Sequence, residues 1–338
     1  MSTVITFGEI MVRLATPGHL RFGQTSQLEL TFGGGEANVA VSLANFGVEA
    51  RYITRLPDNE LADAAIRELR SFGVDTSYIL RGGGRMGIYF LESGASQRAS
   101  KVIYDRAQSS IGEIQPGLVD WEKVFKGAKW FHWTGITPAL SDSAAAATAE
   151  ACAEAKKAGL TVSTDLNYRK KLWSKKKAGE VMERLMENVD VCIANEEDAE
   201  SVFDIKGSEV TSGTIDHARY EDVAKQLTER FGFKQVAITL RESHSASRNG
   251  WSAMLFSDGK AHFSKAYEID IVDRVGGGDS FGAGLIFSLL RGDAPQKAVD
   301  FAVAASCLKH TISGDYNRVS LAEVETLAGG DGSGRVQR

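Results

Sequence analysis

The sequence predicts an α/β protein: a mostly parallel central sheet with helices on both faces, in three layers, and a small separate β-sheet. Two observations predict it. From Lys129 onward, strand-length runs rich in β-branched and aromatic residues alternate with runs of helical length and apolar period, the pattern of strands joined by crossover helices. Before that point the short strand-like segments 10–14, 28–32, 88–92 and 101–106 break the rhythm. They are expected to pair with one another as a lid.

A chain of 338 residues can bury a large core, and it reads as one α/β domain over 1–328 with a flexible tail at 329–338. Apolar content of 43% and charged content of 25% are ordinary for a globular protein. The net charge of −5 gives no general attraction for nucleic acid or an anionic membrane. Any anion it binds must meet local donors. Cys152, Cys192 and Cys307 are widely spaced, and neither CxxC nor HExxH occurs, so no disulfide framework and no transition-metal site are expected. The N-terminus lacks a signal-peptide pattern and no apolar run reaches membrane-spanning length, so a cytoplasmic location is expected.

The elements follow in order. Val4–Phe7 reads as a buried strand, with Gly8–Leu14 continuing it; Pro17-Gly18 marks a turn, and 28–32 alternates as a half-buried strand. Gly33-Gly34-Gly35-Glu36-Ala37-Asn38 then opens a helix that Gly47 can end. This entry suits either tight packing or the approach of a polyhydroxyl ligand to bare backbone, with Asn38 as donor and acceptor. A strand at 50–56 and an amphipathic helix at 59–72 follow, closed by Gly73. Gly82–Gly87 matches GxGxxG, but the strand-like Ile88-Tyr89-Phe90-Leu91-Glu92 follows it. A dinucleotide fingerprint must open a helix, so the match is rejected.

Strand 129–133 leads to an alanine-rich helix, 141–158, with Ser141 as its cap, and strand 160–166 ends in Asp165-Leu166-Asn167-Tyr168-Arg169. The basic run 169–177 reads as a solvated helix start rather than a nucleic-acid patch, given the acidic total. Strand 189–194 ends in Asn195-Glu196-Glu197-Asp198. Those acids either open a helix or hold magnesium through water. A polar insertion at 204–217, helix 218–231, strands 235–240, 251–256, 261–266 and 267–272, and helices 281–290, 295–310 and 320–327 complete the chain.

The chemistry centres on Asp273-Arg274-Val275-Gly276-Gly277-Gly278-Asp279. Glycines at a strand-to-helix junction let backbone N–H groups crowd an anion, and the helix N-terminus adds free donors and partial positive charge. Asp279 could simply cap the helix; the run of glycines before it favours a base beside a phosphate cradle, accepting a proton from an attacking alcohol. The helix N-terminus should also stabilise its anion and weaken it as a base. Asn167, Arg169, Asn195, Arg241 and Asp279 all follow strand ends, the side of such sheets where ligands bind.

These motifs resemble the ribokinase-like (PfkB-type) carbohydrate kinases over essentially the whole chain. Gly33-Gly34 through Asn38 is similar to the family's N-terminal signature, and Asp273 to Phe281 to its C-terminal one, with Gly277 where alanine is usual. Asn195 to Asp198 resembles its Asn-x-x-Glu motif with a shorter acid, and Arg241-Glu242 stand where glycine is frequent. Within the family, Gly8-Glu9-Ile10-Met11, Gly87-Ile88-Tyr89-Phe90, Tyr104-Asp105-Arg106 and Asp165–Arg169 resemble the branch acting on 2-keto-3-deoxygluconate.

The resemblance implies ATP and magnesium as cofactors and leaves a potassium requirement open. It implies that Gly33, Gly34, Asn38, Tyr89, Tyr104, Arg106, Asn167, Arg169 and Asp315 contact a sugar acid. Asn195, Arg241, Gly276 and Gly278 would meet the nucleotide, Asn195 and Asp198 the magnesium through water. Asp279 would take the proton of the 6-hydroxyl beside the amides of Gly276, Gly277 and Gly278. Independently, a substrate carboxylate explains cationic Arg106 and Arg169 better than a neutral sugar does. Fructokinase, 5-keto-2-deoxygluconate kinase and a non-catalytic binding regulator are the alternatives. Exposed lid strands suggest a dimer formed through the lids.

Overall fold

The computed structural model describes residues 2–195, 197–207 and 217–334. The first elements are β1 (Thr3–Phe7), β2 (Met11–Ala15), β3 (Glu29–Gly33), α1 (Gly35–Asn45), β4 (Glu49–Ile53), β5 (Arg55–Leu56), α2 (Glu60–Ser71), β6 (Leu80–Arg81), β7 (Gly87–Glu92) and β8 (Lys101–Asp105). Next come α3 (Trp121–Phe125), β9 (Ala128–Thr134), α4 (Ile136–Ala139), α5 (Asp142–Lys157), β10 (Thr161–Asp165), α6 (Lys175–Met186), β11 (Val191–Asn195), α7 (Asp198–Phe203), α8 (His217–Phe231) and β12 (Gln235–Ser243). The chain closes with β13 (Arg248–Ser257), β14 (Lys260–Phe263), β15 (Tyr267–Asp270), α9 (Gly277–Leu290), α10 (Pro295–Lys309) and α11 (Leu321–Ala328).

The main sheet runs β14-β13-β12-β11-β10-β9-β1-β4, with β15 also on β13. Neighbours from β4 to β12 are parallel, and β13, β14 and β15 join antiparallel. Successive strand residues point to opposite faces. Val4, Trp130 and Ile193 therefore enter one core with α1, α9 and α10, while Ile5, Phe131 and Cys192 enter another with α5, α6 and α8. Helix α9 is apolar nearly all round because it is enclosed: Phe281, Ala283, Leu285 and Ile286 are fully buried. Ser141 caps α5 as its sequence suggests, accepting from the Ala144 N–H.

The second sheet has the order β3-β2-β7-β8, so the strands predicted for a lid do gather together. Several expectations need correction. Gly8–Leu14 does not prolong β1: the chain leaves the main sheet after Phe7 and re-enters order as β2 of the small sheet. Buried Glu9, held by Arg106 and Ser109, anchors that crossing. The strand expected at 50–56 is two, because β5 turns away to pair with β6. Helix α9 begins at Gly277 rather than Phe281, so the last glycines are helical. Of the polar insertion, 208–216 lies outside the described residues, as do Glu196 and 335–338 of the tail. The tail's start folds back on α11: Asp331 N donates to Thr326 O at 3.2 Å. The rejected glycine match does run into a strand, β7.

Candidate active site

Both glycine-rich entries serve one place. Helices α1 and α9 start side by side, and Asn38 joins them: its Nδ2 donates to Asp279 Oδ2 at 2.7 Å and its Oδ1 accepts from Gly34 N at 3.2 Å. Gly34 must be glycine because a Cβ there would lie 1.9 Å from the Glu9 carbonyl oxygen. Gly276 caps α9 at φ +82°, and a Cβ there would lie 2.1 Å from the Asp315 carbonyl oxygen. Gly278 has open space before it. The Gly278 and Asp279 amides, in the first turn, have no carbonyl partner within the helix. The arrangement suits an anion cradle with a carboxylate at its edge.

Asp279 is partly buried, and its carboxyl is pushed up to about 6, chiefly by burial; the Asn38 bond and the Arg169 and Lys309 charges oppose the rise. The expectation that the helix start would leave it a weak base is thus outweighed by desolvation. A carboxyl near 6 is well placed to accept a proton near neutrality.

Around the cradle lies a cavity of about 410 Å³. Of the sequence-predicted residues, Gly34, Asn38, Tyr89, Tyr104, Arg106, Asn167, Arg169, Asn195, Arg241, Gly276, Gly278, Asp279 and Asp315 line it. Two glycines predicted to contact ligand do not: Gly33 abuts the Asp315 carboxylate, and Gly277 packs on the His310 ring. Asp198 borders an adjoining depression instead.

The small sheet supplies one wall. Tyr89 and Tyr104 sit opposite each other on β7 and β8, ring centroids 6.1 Å apart. Arg106 pairs with buried Glu9 and lies 5.4 Å from the Tyr104 ring centroid, while its Nε is buried without a partner. Tyr89 donates its hydroxyl to Asp315 Oδ1 at 2.5 Å. The strand ends supply the opposite wall. Asn167 adopts φ +42°, its N–H held by Asp165 Oδ1 at 3.1 Å, and turns the chain so that Arg169 reaches the cavity. Burial, then the charges of Asp198 and Asp279, raise Asp165 well above the usual carboxylate value. The third wall holds Arg241, Arg274 and Trp251, whose Nε1 is buried and unpartnered.

Sequence reading missed Arg13, whose guanidinium binds Asp273 Oδ2 at 2.5 Å and Asp315 Oδ1 at 2.8 Å. The available signal was an arginine between Met11 and Ala15 on the strand face that carries apolar side chains. It also missed Glu36, buried at the start of α1, whose Oε1 accepts from Thr134 N, Thr134 Oγ and Thr137 Oγ at 2.8–2.9 Å.

For magnesium the fit is indirect. Asp198 accepts backbone N–H groups on both oxygens, from Tyr168 at 3.1 Å and Asn195 at 3.3 Å. Asn195 Oδ1 accepts from Glu197 N and Asp198 N. Among the described residues no group of three His, Cys, Asp or Glu gathers to hold a metal. A magnesium ion here suits water-mediated contact and phosphate ligands, its usual habit.

Known proteins share this architecture. The family model for pfkB family carbohydrate kinases matches residues 1–320. A crystal structure of 2-dehydro-3-deoxygluconokinase from Thermotoga maritima is 52% identical, with a TM-score of 0.93, covering 97% of this chain and 98% of that one. The 2-dehydro-3-deoxygalactonokinase of Haloferax volcanii is 34% identical over 329 residues, 97% of each chain. The 2-dehydro-3-deoxygluconokinase of Thermoproteus tenax is 29% identical over 335 residues, covering 97% of this chain and 94% of that one.

Proposed function

The chain belongs to the pfkB family of carbohydrate kinases, and from that premise we propose that it transfers the γ-phosphoryl group of ATP to the 6-hydroxyl of 2-keto-3-deoxygluconate, giving 2-keto-3-deoxy-6-phosphogluconate. One observation supports this above the others: Asp279, with its carboxyl near 6, faces a cavity walled by Arg169, Arg106, Tyr89 and Tyr104. A sugar acid lies with its carboxylate towards the arginines and its terminal hydroxyl at Asp279. Asp279 takes the hydroxyl proton as that oxygen attacks phosphorus. Asn38 keeps the carboxylate in place, and the first-turn amides of α9 meet charge on the transferring group. Gly34 leaves bare backbone beside the sugar, and Asn167 and Asp315 offer polar contacts.

The nucleotide lies towards Arg241, Asn195 and the cradle glycines Gly276 and Gly278. Magnesium, bound with the triphosphate, offsets its charge; Asn195 and Asp198 would meet it through water. Closure of the small sheet as a lid over the sugar excludes water that would otherwise hydrolyse ATP. The sheet's outer face exposes Leu30 and Ile103, 49% and 53% accessible, which supports a dimer formed through the lids, testable by size-exclusion chromatography with light scattering.

An ADP-release assay tests the reading across 2-keto-3-deoxygluconate, its galactonate epimer, 5-keto-2-deoxygluconate and fructose. The gluconate acid should give the highest kcat/KM. The galactonate epimer belongs in the panel because the Haloferax relative is named for it. Preference for fructose would overturn the sugar-acid assignment.

A further inference from the structure

Lys309 ends α10 with no accessible surface, and among the described residues no other lysine is buried. A buried ammonium is costly unless the site uses its charge. Its Nζ donates to the Ile312 carbonyl at 3.1 Å, and its Cε would lie 3.2 Å from a Cβ on Gly276. The side chain therefore runs directly beneath the left-handed turn that opens α9. Burial lowers its pKa, while Asp273, Asp315 and Asp279 pull it back up.

Arg13 completes this arrangement from the small sheet by binding Asp273 and Asp315. Asp273 in turn accepts from Val275 N at 3.0 Å and Gly314 N at 3.1 Å, so it fixes both backbone segments around Gly276. Unneutralised, these carboxylates would repel a triphosphate arriving at the cradle above them. An alkali cation needs several oxygens converging on a space that holds no covalent cation. The oxygens facing the space beneath this cradle, the carboxylates of Asp273 and Asp315 and the Ile312 carbonyl, already have Arg13 and Lys309 as partners. Potassium does not fit there.

We propose that Lys309 is a built-in monovalent cation: with Arg13 it holds the Asp273–Asp315 frame of the anion cradle, and the protein needs no potassium. Lys309 is then a positioning residue, acting through Gly276 and the amides that follow it. The turnover arm of the test rests on the kinase reading; the binding arm does not.

The experiment compares wild type and Lys309→Met in potassium chloride and in choline chloride, measuring kcat, KM for the sugar acid, and calorimetric affinity for ADP with magnesium. Wild type should differ by less than about twofold between the salts. Lys309→Met in choline should lose at least about tenfold in kcat and in ADP affinity, with KM for the sugar acid unchanged. Potassium, ammonium or methylammonium should restore part of both losses. A several-fold potassium stimulation of wild type overturns the proposal, as does a Lys309→Met protein equal to wild type in choline. An impaired variant indifferent to all three small cations also overturns it. If the variant does not fold, the wild-type salt comparison still decides. If wild type turns over no sugar acid, the functional reading fails, while ADP affinity in the two salts still tests the cation.

Discussion

Replacing Asp279 with Asn separates chemistry from stability. The substitution keeps an oxygen that can accept the Asn38 N–H at the 2.7 Å position and removes only the charge. If Asp279 is the base, kcat should fall by about 10²–10⁴. Stability should move the other way. The carboxyl stands at about 6 against an ordinary 3.8, mainly because burial disfavours its charged form. A raised carboxyl contributes stability that is complete below pH 3.8 and is lost as pH rises through about 6. At pH 8 the wild-type chain thus holds a disfavoured charge, costing up to ~3 kcal/mol; partial exposure to the cavity brings this to about 1–3 kcal/mol. Asp279→Asn should melt at higher temperature than wild type at pH 8, and the gap should close near pH 4. The assays are steady-state turnover and thermal melts across pH. Wild-type kcat/KM should also rise with pH and level above about 6. A near-normal kcat in the variant would falsify the base assignment. A variant no more stable than wild type at pH 8 would instead refute the desolvation argument.

Other perturbations probe the rest of the site. Burial raises Glu36 from 4.5 to about 7, so its contribution to stability is lost as pH rises through that range. Glu36→Gln should therefore flatten the melting profile from pH 5 to 8, whereas Glu36→Ala leaves three donors unpaired and should destabilise by ~1–3 kcal/mol per donor. Gly276→Ala forces a Cβ against Asp315 O at φ +82°. It should lose ADP affinity and turnover and cost ~1–3 kcal/mol in denaturant melts; intact cradle function would contradict the geometry. Arg169→Ala should lower kcat/KM for the sugar acid roughly 10–100-fold with little effect on fructose, and equal losses on both would remove the carboxylate reading.

How much of this was legible depended on whether a residue's chemistry conflicts with ordinary folding roles. Consecutive glycines at a strand-to-helix junction serve neither strand nor helix well, so Gly276, Gly278 and Asp279 stood out, whereas the entry with Gly34 and Asn38 suited tight packing as well as a ligand. Strand ends located Asn167, Arg169 and Asn195 because parallel sheets direct their carboxyl ends to the ligand side; Arg241 lines the cavity from inside β12, which runs on past the expected end at 240 to Ser243, where it still pairs with β13. Lys309 could not be read this way: it ends a helix where a basic residue also suits the dipole. Its side chain lies under the Gly276 turn, a tertiary contact that the sequence does not show. Nor could sequence separate Gly277 from its neighbours, since only the helical phase of α9 turns it to His310. Asp198 opens α7, one of its two sequence readings, and ties Tyr168 N to Asn195 N.

A sugar-acid kinase of net charge −5 must keep its own carboxylates apart from a triphosphate and from a substrate carboxylate. The structure does this by giving the acids near the cavity internal partners. Asp273 and Asp315 face Arg13, Asp198 faces backbone N–H groups, and Glu9 faces Arg106 and Ser109. On the side proposed for the nucleotide, Arg241 and Arg274 form no ion pair among the described residues. Arg274 donates to the Ala246 carbonyl, and burial and then Arg241 lower its pKa. Two arginines that repel each other across a cavity gain stability when an anion enters between them. The positive potential is therefore local and independent of the sign of the whole molecule, as a kinase with a negative net charge and acidic substrates requires.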